Sequence, residues 1–362
     1  MADLLYVRHG RLHYYIRELL KRCRVPATDA SKVADTMVFA DLSGRTSEGV
    51  SRLPDLVSAL SGGLILPTAA IEIVQQDQAV SVMDGGNALG AVIGVRAMEL
   101  AIETAKRLGL GAVGVRHSND LGIAGYYARM ALEEQMIGVV LSNSPPTTVP
   151  PEGHAAFVGA NPLAIAIPSA ETDAPFVVDM ATSGVSRHRL TMLADSGESL
   201  DPGLAMDPHG ETTTDPVRAL DGGRYLPLGA PSLAHKGFAL ALAIDILCGI
   251  LPGGSFGREL RQTKSHQEPA DLGHFFLAMR LRSFTPWIRF RNRMQEFVKG
   301  FRKPGDASDR PIYYPGESAH AIEQMRRAEG IPLDAATAIR LRSLASGLDL
   351  PDAWEHLEQG KK

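Results

Sequence analysis

Apolar residues in the first 42 positions recur at helical spacing. Leu19, Leu20, Cys23 and Val25 form one set and Val33, Met37 and Val38 a second. The Pro26–Asp29 stretch between them reads as a turn in which Thr28 or Asp29 caps the second helix. Two amphipathic helices are thus predicted before Asp41, and a third over Arg52–Gly62, closed by Gly62-Gly63. The texture then changes. Ile71–Gln75 and Ala79–Asp84 are short β-branched runs ending at Gly85-Gly86-Asn87, which is strand patterning. Ile93–Leu108 carries Met98, Ala101, Ile102 and Ala105 on one helical face and stops at Gly109. Ala112–Arg116, Val139–Asn143, Ala164–Pro168 and Phe176–Asp179 are further strands. Asp, Pro, Gly and Thr dominate from Leu190 to Pro227, predicting loops and turns. Helical spacing returns at Gly237–Gly249, Ala319–Ala328 and Ala335–Ala345. Strands mixed irregularly with helices predict a mixed α/β (α+β) fold rather than a clean alternating series.

Composition narrows the class. The chain has 362 residues, 44% hydrophobic and 22% charged, with a formal net charge of -4, which describes a folded protein without a global attraction to nucleic acid or anionic membrane. Arg280–Lys303 is locally basic and is expected to be a solvated amphipathic helix over a core. Phe238–Leu251 is the longest apolar run; it contains Asp245, is too short to span a bilayer, and reads as a buried helix. Cys23 and Cys248 stand in apolar or helical surroundings, without metal-site spacing, so neither a disulfide framework nor a metal is expected. A cytoplasmic protein follows.

The candidate chemistry lies in Val115–Tyr127, with the pattern S-x-D-x-G-x-x-G-Y-Y from Ser118. No G-x-G-x-x-G follows a strand, so a doubly wound nucleotide domain is not expected. That segment resembles the active-site stretch of the type-2 malate/L-lactate dehydrogenases, whose relatives include ureidoglycolate and sulfolactate dehydrogenases and Δ1-piperideine-2-carboxylate reductases. The likeness continues in order. Asp41–Leu53 is similar to D-x-x-G-x-x-S-H-G-x-x-R-L. Ser142-Asn143-Ser144, Val158–Pro162, Val178–Ser183, Thr214–Pro216, Leu226–Gly229, His235-Lys236-Gly237, Gly273–Phe276, Tyr314–Glu317 and Glu329–Leu333 follow. Each is weak alone; the ordered set is specific.

The resemblance implies a non-Rossmann NAD(P)-binding domain within a largely helical framework built from both ends of the chain. Residues 1–70 with 265–362 are assigned to the framework, and 71–264, with a loop-rich insertion near 190–235, to the nucleotide domain. It also implies a small-molecule substrate and a homodimer. NAD or NADP would be held at positions matching Ser144, Asp179, Met180, Ala181, Lys236, Pro315, Gly316 and Glu317. Those residue types suit a dinucleotide, with an ammonium for phosphate, glycine for close approach and carboxylates for ribose hydroxyls.

The departures fall at the site. The two histidines of the family pattern are here Asp120 and Glu48, while Ser47 and Arg52 remain, and His188-Arg189 replaces a small residue and a lysine. Imidazole is the usual proton carrier near neutral pH. Three readings follow. Asp120 is a carboxylic acid whose pKa is raised by burial and by Glu48; or the substrate is an imine, whose cationic form two carboxylates stabilise; or hydride chemistry is lost and the scaffold serves binding. His117 is a further candidate proton donor, although its odd offset from Asp120 turns it to the opposite face of an extended segment.

Overall fold

A computed structural model describes residues 4–169, 174–261, 268–302 and 312–358. The two ends of the chain build one helical body. Helix α1 (His9–Arg22) buries Leu12, Tyr15, Ile16, Leu19 and Leu20, a continuous apolar stripe. Helix α2 (Ala27–Leu42) starts directly after Pro26, with Asp29 in its first turn, so the cap expected at Thr28 or Asp29 lies earlier; the fixed φ of proline already suits a helix start. Helix α3 (Leu53–Ser61) follows. Strand β1 (Leu5–Val7) pairs with β12 (Ile331–Leu333), which leads into α11 (Ala335–Gly347) and α12 (Pro351–Glu358). Tyr15, Leu19, Leu53, Ile331, Leu341 and Leu357 share one core, and the Tyr15 hydroxyl donates to the Leu341 carbonyl at 2.5 Å.

The second body is a seven-stranded sheet. Its strands are β2 (Glu72–Asp77), β3 (Val80–Asp84), β4 (Leu110–Ser118), β5 (Met136–Ser142), β6 (Leu163–Ile167), β7 (Phe176–Met180) and β11 (Leu272–Arg280), in the order β2-β3-β4-β11-β5-β6-β7. Only β3 and β4 pair in parallel, which departs from a doubly wound sheet. Helices α4 (Gly90–Leu108) and α5 (Ala124–Met130) cover one face. Helix α8 (Ala234–Asp245), continued by a π-helical turn over Ile246–Ile250, packs on the other.

Three expectations change here. Leu272–Arg280, allotted to the helical framework, forms the sheet's central strand; covered on both faces, it carries no polar alternation to betray it. The Phe238–Leu251 run is half-buried: Ala241, Ile244 and Cys248 face inward, while Leu240, Ile246 and Ile250 are exposed. The basic segment forms α9 (Trp287–Phe301), yet only Val298 of it is buried, and Ile288, Phe297 and Phe301 are open to solvent, so it covers no core among the described residues. Its Lys303 lies outside those residues. The loop-rich stretch is a small unit in which α6 (Arg187–Ser196) and α7 (Pro216–Leu220) pack with a sheet of β8 (Ala205–Met206), β9 (Thr212–Thr213) and β10 (Arg224–Tyr225). Helix α10 (Glu317–Glu329) completes the fold. Among the described residues no helix is long and apolar enough to cross a membrane.

Register decides where chemistry can gather. Strand β11 runs antiparallel to both β4 and β5, so His274 lies opposite both Val115 and Ser142. Strand β6 is antiparallel to β5, and β7 to β6. Asn119–Gly122, Asn143–Ser144, Asn161–Pro162 and Ala181–Thr182 therefore all leave the sheet at one end.

Because both termini share a core, Leu341→Ala is expected to destabilise the whole chain by about 2–5 kcal/mol. Urea unfolding followed through the N-terminal helices would show it; an unchanged midpoint would mean that the two ends fold independently.

Candidate active site

The site begins at the end of α2. Asp41 is buried there and accepts the Val50 amide at 2.9 Å. A Cβ at position 49 would sit 2.0 Å from its Oδ1, so glycine is required. This turn sets Glu48 and Arg52 four residues apart. The two arms of the Arg52 guanidinium donate to Glu48 Oε2 and Asp120 Oδ2. The other oxygen of Asp120 accepts the Gly122 amide at 2.8 Å. Helix α4 presses the same loop from behind: a Cβ on Gly90 would lie 2.2 Å from the Asp120 carbonyl. Ser47 is half-buried in the same turn.

The two carboxyls differ in charge state. Burial pushes Glu48 up to about 7, Asp120 and Asp179 add to the rise, and Arg52 opposes it. Burial would also raise Asp120, but Arg52, His188 and the Gly122 amide outweigh it and hold Asp120 down at about 2. Asp120 is the more open group, its side chain 56% exposed against 24% for Glu48. Of the three readings, the one with a neutral Asp120 is thus corrected: of the pair on Arg52, the carboxyl moved toward neutrality is Glu48. Arg52 stays charged, because its two carboxylates overcome the burial that opposes its cation.

His117 is not part of the cluster. It adopts a positive φ of 51° and places Nδ1 2.8 Å from Asp84 Oδ2, an oxygen that also accepts from Arg116 Nε at 3.1 Å. Asp84, not Asp120, is its carboxylate, and its candidacy as proton donor falls with that placement.

The positions matched to the cofactor fall into three places. At the sheet end, the Ser144 amide donates to Asn161 Oδ1 at 3.0 Å, and the Asn161 amide donates to Ser144 Oγ at 3.2 Å. Met180 and Ala181 close β7, and the Leu228 amide bonds Thr182 just beyond them. Lys236 is exposed in the first turn of α8; a Cβ on its neighbour Gly237 would lie 2.3 Å from the Leu228 carbonyl, so helix and strand end are in close contact. Asp179 points to the start of α5, where it accepts the Gly125 amide at 3.0 Å; burial pushes it up to about 6 against Arg45 and that amide. Pro315–Glu317 lies along the outer edge of β7, where the Val177 amide donates to Pro315, and a Cβ on Gly316, at φ 102°, would meet the Pro175 carbonyl at 2.5 Å. Glu317 accepts the Tyr314 amide and pairs with Arg302, so its carboxylate serves the turn that starts α10. At the Met180 end of β7 an exposed ammonium, a half-buried hydroxyl and the close-packed turn at Gly237 fit the phosphate and ribose demands of a dinucleotide, while Gly316 packs at the strand's other end.

Two residues marked in the sequence gain a role only from the structure. His188, half-buried in α6, acts electrostatically on Asp120, and α6 packs on the Thr46–Glu48 turn through Met192, whose sulfur is 3.9 Å from Thr46 Oγ1. Its sole signal is the replacement of a small residue. His274 is fully buried beside Asn119; only its place in an ordered motif marks it.

The family model described as malate/L-lactate dehydrogenase matches residues 7–342. The chain is 37% identical over 362 residues to a malate dehydrogenase of Pyrococcus abyssi, covering 96% of this chain and 98% of that protein. Among solved structures it is similar to malate dehydrogenase from Entamoeba histolytica, with a TM-score of 0.92 at 30% identity over 96% of this chain and 99% of that one. It is also similar to Δ1-piperideine-2-carboxylate reductase from Pseudomonas syringae, with a TM-score of 0.83 at 25% identity over 94% and 99%.

Removing the shared cation exposes the cost of the carboxylates. In Arg52→Met, Glu48 and Asp120 both hold protons more tightly folded than unfolded, so stability declines as pH rises. The Tm deficit relative to the parent is expected to exceed that at pH 5 by roughly 2–4 °C at pH 8. An equal deficit at both pH values would show that Arg52 compensates no buried charge.

Proposed function

The chain belongs to the malate/L-lactate dehydrogenase family, and from that premise we propose that it is an NAD(P)-dependent oxidoreductase acting on a small C=O or C=N substrate at the Arg52 cluster. The observation that carries the substrate reading is that Arg52 spends both arms on carboxylates of its own chain. A 2-oxo acid needs a cation for its carboxylate, and here the nearest anion, Asp120, would repel it. An imine protonated at nitrogen reverses the sign: Asp120 faces a positive centre and stabilises it.

Ser144, Met180, Ala181 and Lys236 would hold the cofactor, Lys236 at a phosphate, with Asp179 and Pro315-Gly316-Glu317 shaping the strand beside it. A bound nicotinamide would supply the hydride. Glu48, protonated about half the time at pH 7, gives its proton to the substrate nitrogen, and the resulting iminium accepts the hydride at carbon. Glu48 is left as a carboxylate beside Arg52 and regains a proton from water. Asp120 and Arg52 hold the reacting group against the turn, with Ser47 beside it. Exposed Leu240, Ile246 and Ile250 on α8 and Ile288 and Phe297 on α9 support a homodimer.

Reduction is expected to need protonated Glu48, so its rate falls as pH rises through about 7. Glu48→Gln should lose roughly 10²–10⁴-fold and the limb with it. Nucleotide fluorescence with NADH and NADPH, then steady-state rates on Δ1-piperideine, a cyclic imine without a carboxylate, and on oxaloacetate and pyruvate, make the comparison. Efficient turnover of the keto acids without the imine would sink the imine reading. A folded protein that binds neither nucleotide would sink the oxidoreductase and leave a binding scaffold.

A further inference from the structure

His274 has no part in the chemistry above, yet it sits at the centre of the sheet end. Its ring is fully buried and is bonded on both sides. Nδ1 lies 2.9 Å from Ser142 Oγ; Nε2 lies 2.8 Å from Ser118 Oγ and 3.2 Å from the Asn119 carbonyl. Each serine hydroxyl also reaches a carbonyl of the outgoing chain, Ser142 to Asn143 at 2.9 Å and Ser118 to Asn119 at 3.3 Å. Burial lowers the imidazole to about 4, although Asp120 and the Asn119 carbonyl pull it upward, so the ring is neutral across the working range. A neutral imidazole has one N–H and one lone pair. With the N–H on Nε2, as the Asn119 carbonyl requires, Nε2 donates toward Ser118 Oγ and that carbonyl while the Ser142 hydroxyl donates to Nδ1, so neither ring nitrogen is left without a partner.

The neighbouring residue strengthens the tie. The Gly273 amide donates to Asn143 Oδ1 at 2.8 Å, and its carbonyl accepts the Asn143 amide at 3.1 Å. A Cβ on Gly273 would lie 1.9 Å from the Cys248 carbonyl, so β11 starts hard against the π-helical turn. The two loops leaving β4 and β5 are thus both fastened to one dipeptide. One loop carries Asp120; the other carries Ser144.

We infer that His274 is a positioning residue that sets the separation between the Asp120 loop and the Ser144 loop through the Ser118–His274–Ser142 hydrogen-bond chain. This rests on the reading of those loops as the substrate and cofactor sides of the site. Hydride transfer tolerates little error in that separation, since a misplacement of ~1 Å can cost about 10²-fold. His274 acts on the distance and touches neither reactant.

The test is His274→Phe, which keeps an aromatic ring beside Phe276, 6.2 Å away in the native packing, and removes both ring hydrogen bonds. The two serines keep their carbonyl partners, so the sheet should fold. Dissociation constants for NADH and NADPH are expected to change less than about threefold. On a substrate the parent reduces, kcat should fall roughly 10–100-fold, and the isotope effect with 4-deuterated nucleotide should rise as hydride transfer becomes limiting. His274→Gln, which keeps a donor and an acceptor, should recover part of the loss. A folded His274→Phe with unchanged kcat and isotope effect would overturn the inference. A second readout needs no turnover. In amide NMR spectra, Asp120→Asn should shift the Ser144 signal in the parent protein and leave it unmoved when His274 is phenylalanine. Failure of the Asp120 change to reach Ser144 in the parent would overturn the coupling, whereas failure to bind either nucleotide would strike only the proposed function.

Discussion

One guanidinium holds the site together. Arg52 leaves the helical framework at the start of α3 and reaches Asp120 on the loop after β4, so the same ion pair that gathers the chemistry also joins the two bodies of the fold. Its two carboxylates are unequal by position. Glu48, four residues back on its own turn, is drawn into the protein and its carboxyl rises; Asp120 meets Arg52 from the open side, with an amide and His188 in support, and stays ionised. A pair of like charges has been separated into an anion and a group that exchanges protons near neutrality, the arrangement by which neighbouring carboxyls come to divide two roles. Breaking such a cluster costs more than forming it returns, because what remains is uncompensated charge.

That arrangement changes what the scaffold can bind. Where two imidazoles would leave the arginine free to clamp an anionic substrate, two carboxylates occupy it and add negative charge. The sheet end and its glycine turns stay in place, and beside them the framework sets an anion, Asp120. The proposed cationic C=N is a substrate whose charge that surface would complement.

Much of this is legible in the sequence, for reasons that differ by element. Helix α1 buries one apolar stripe and α2 and α4 bury runs of consecutive residues, and in all three the apolar repeat announces the helix. Strand β11 is buried on both faces and looks like any apolar run, so the strand at the centre of the sheet is the one that patterning misses. The exposed sides of α8 and α9 mislead because periodicity reports an apolar face and not what covers it. At the site, the motifs mark Arg52, Glu48 and Asp120, and the structure brings all three together. Which carboxyl is protonated depends on a turn held by Asp41 and on a loop pressed by Gly90, neither visible in residue identity. His117 carries the right chemistry at the wrong offset, and Asp84 claims it. His188 and His274 approach from α6 and β11, far away in sequence; the His188-Arg189 departure and the Gly273–Phe276 motif mark their positions but not what they do there.

The most direct measurement is a carboxyl titration by ¹³C NMR on the parent protein, with Glu48→Gln and Asp120→Asn for assignment. The charge arrangement at Arg52 requires a carboxyl titrating near pH 7, beside those of Asp41 and Asp179 that burial also raises, that vanishes in Glu48→Gln, and an Asp120 signal that stays ionised down to about pH 2. A titration near pH 7 that belongs to Asp120, or ordinary carboxylate behaviour at both positions, would contradict it.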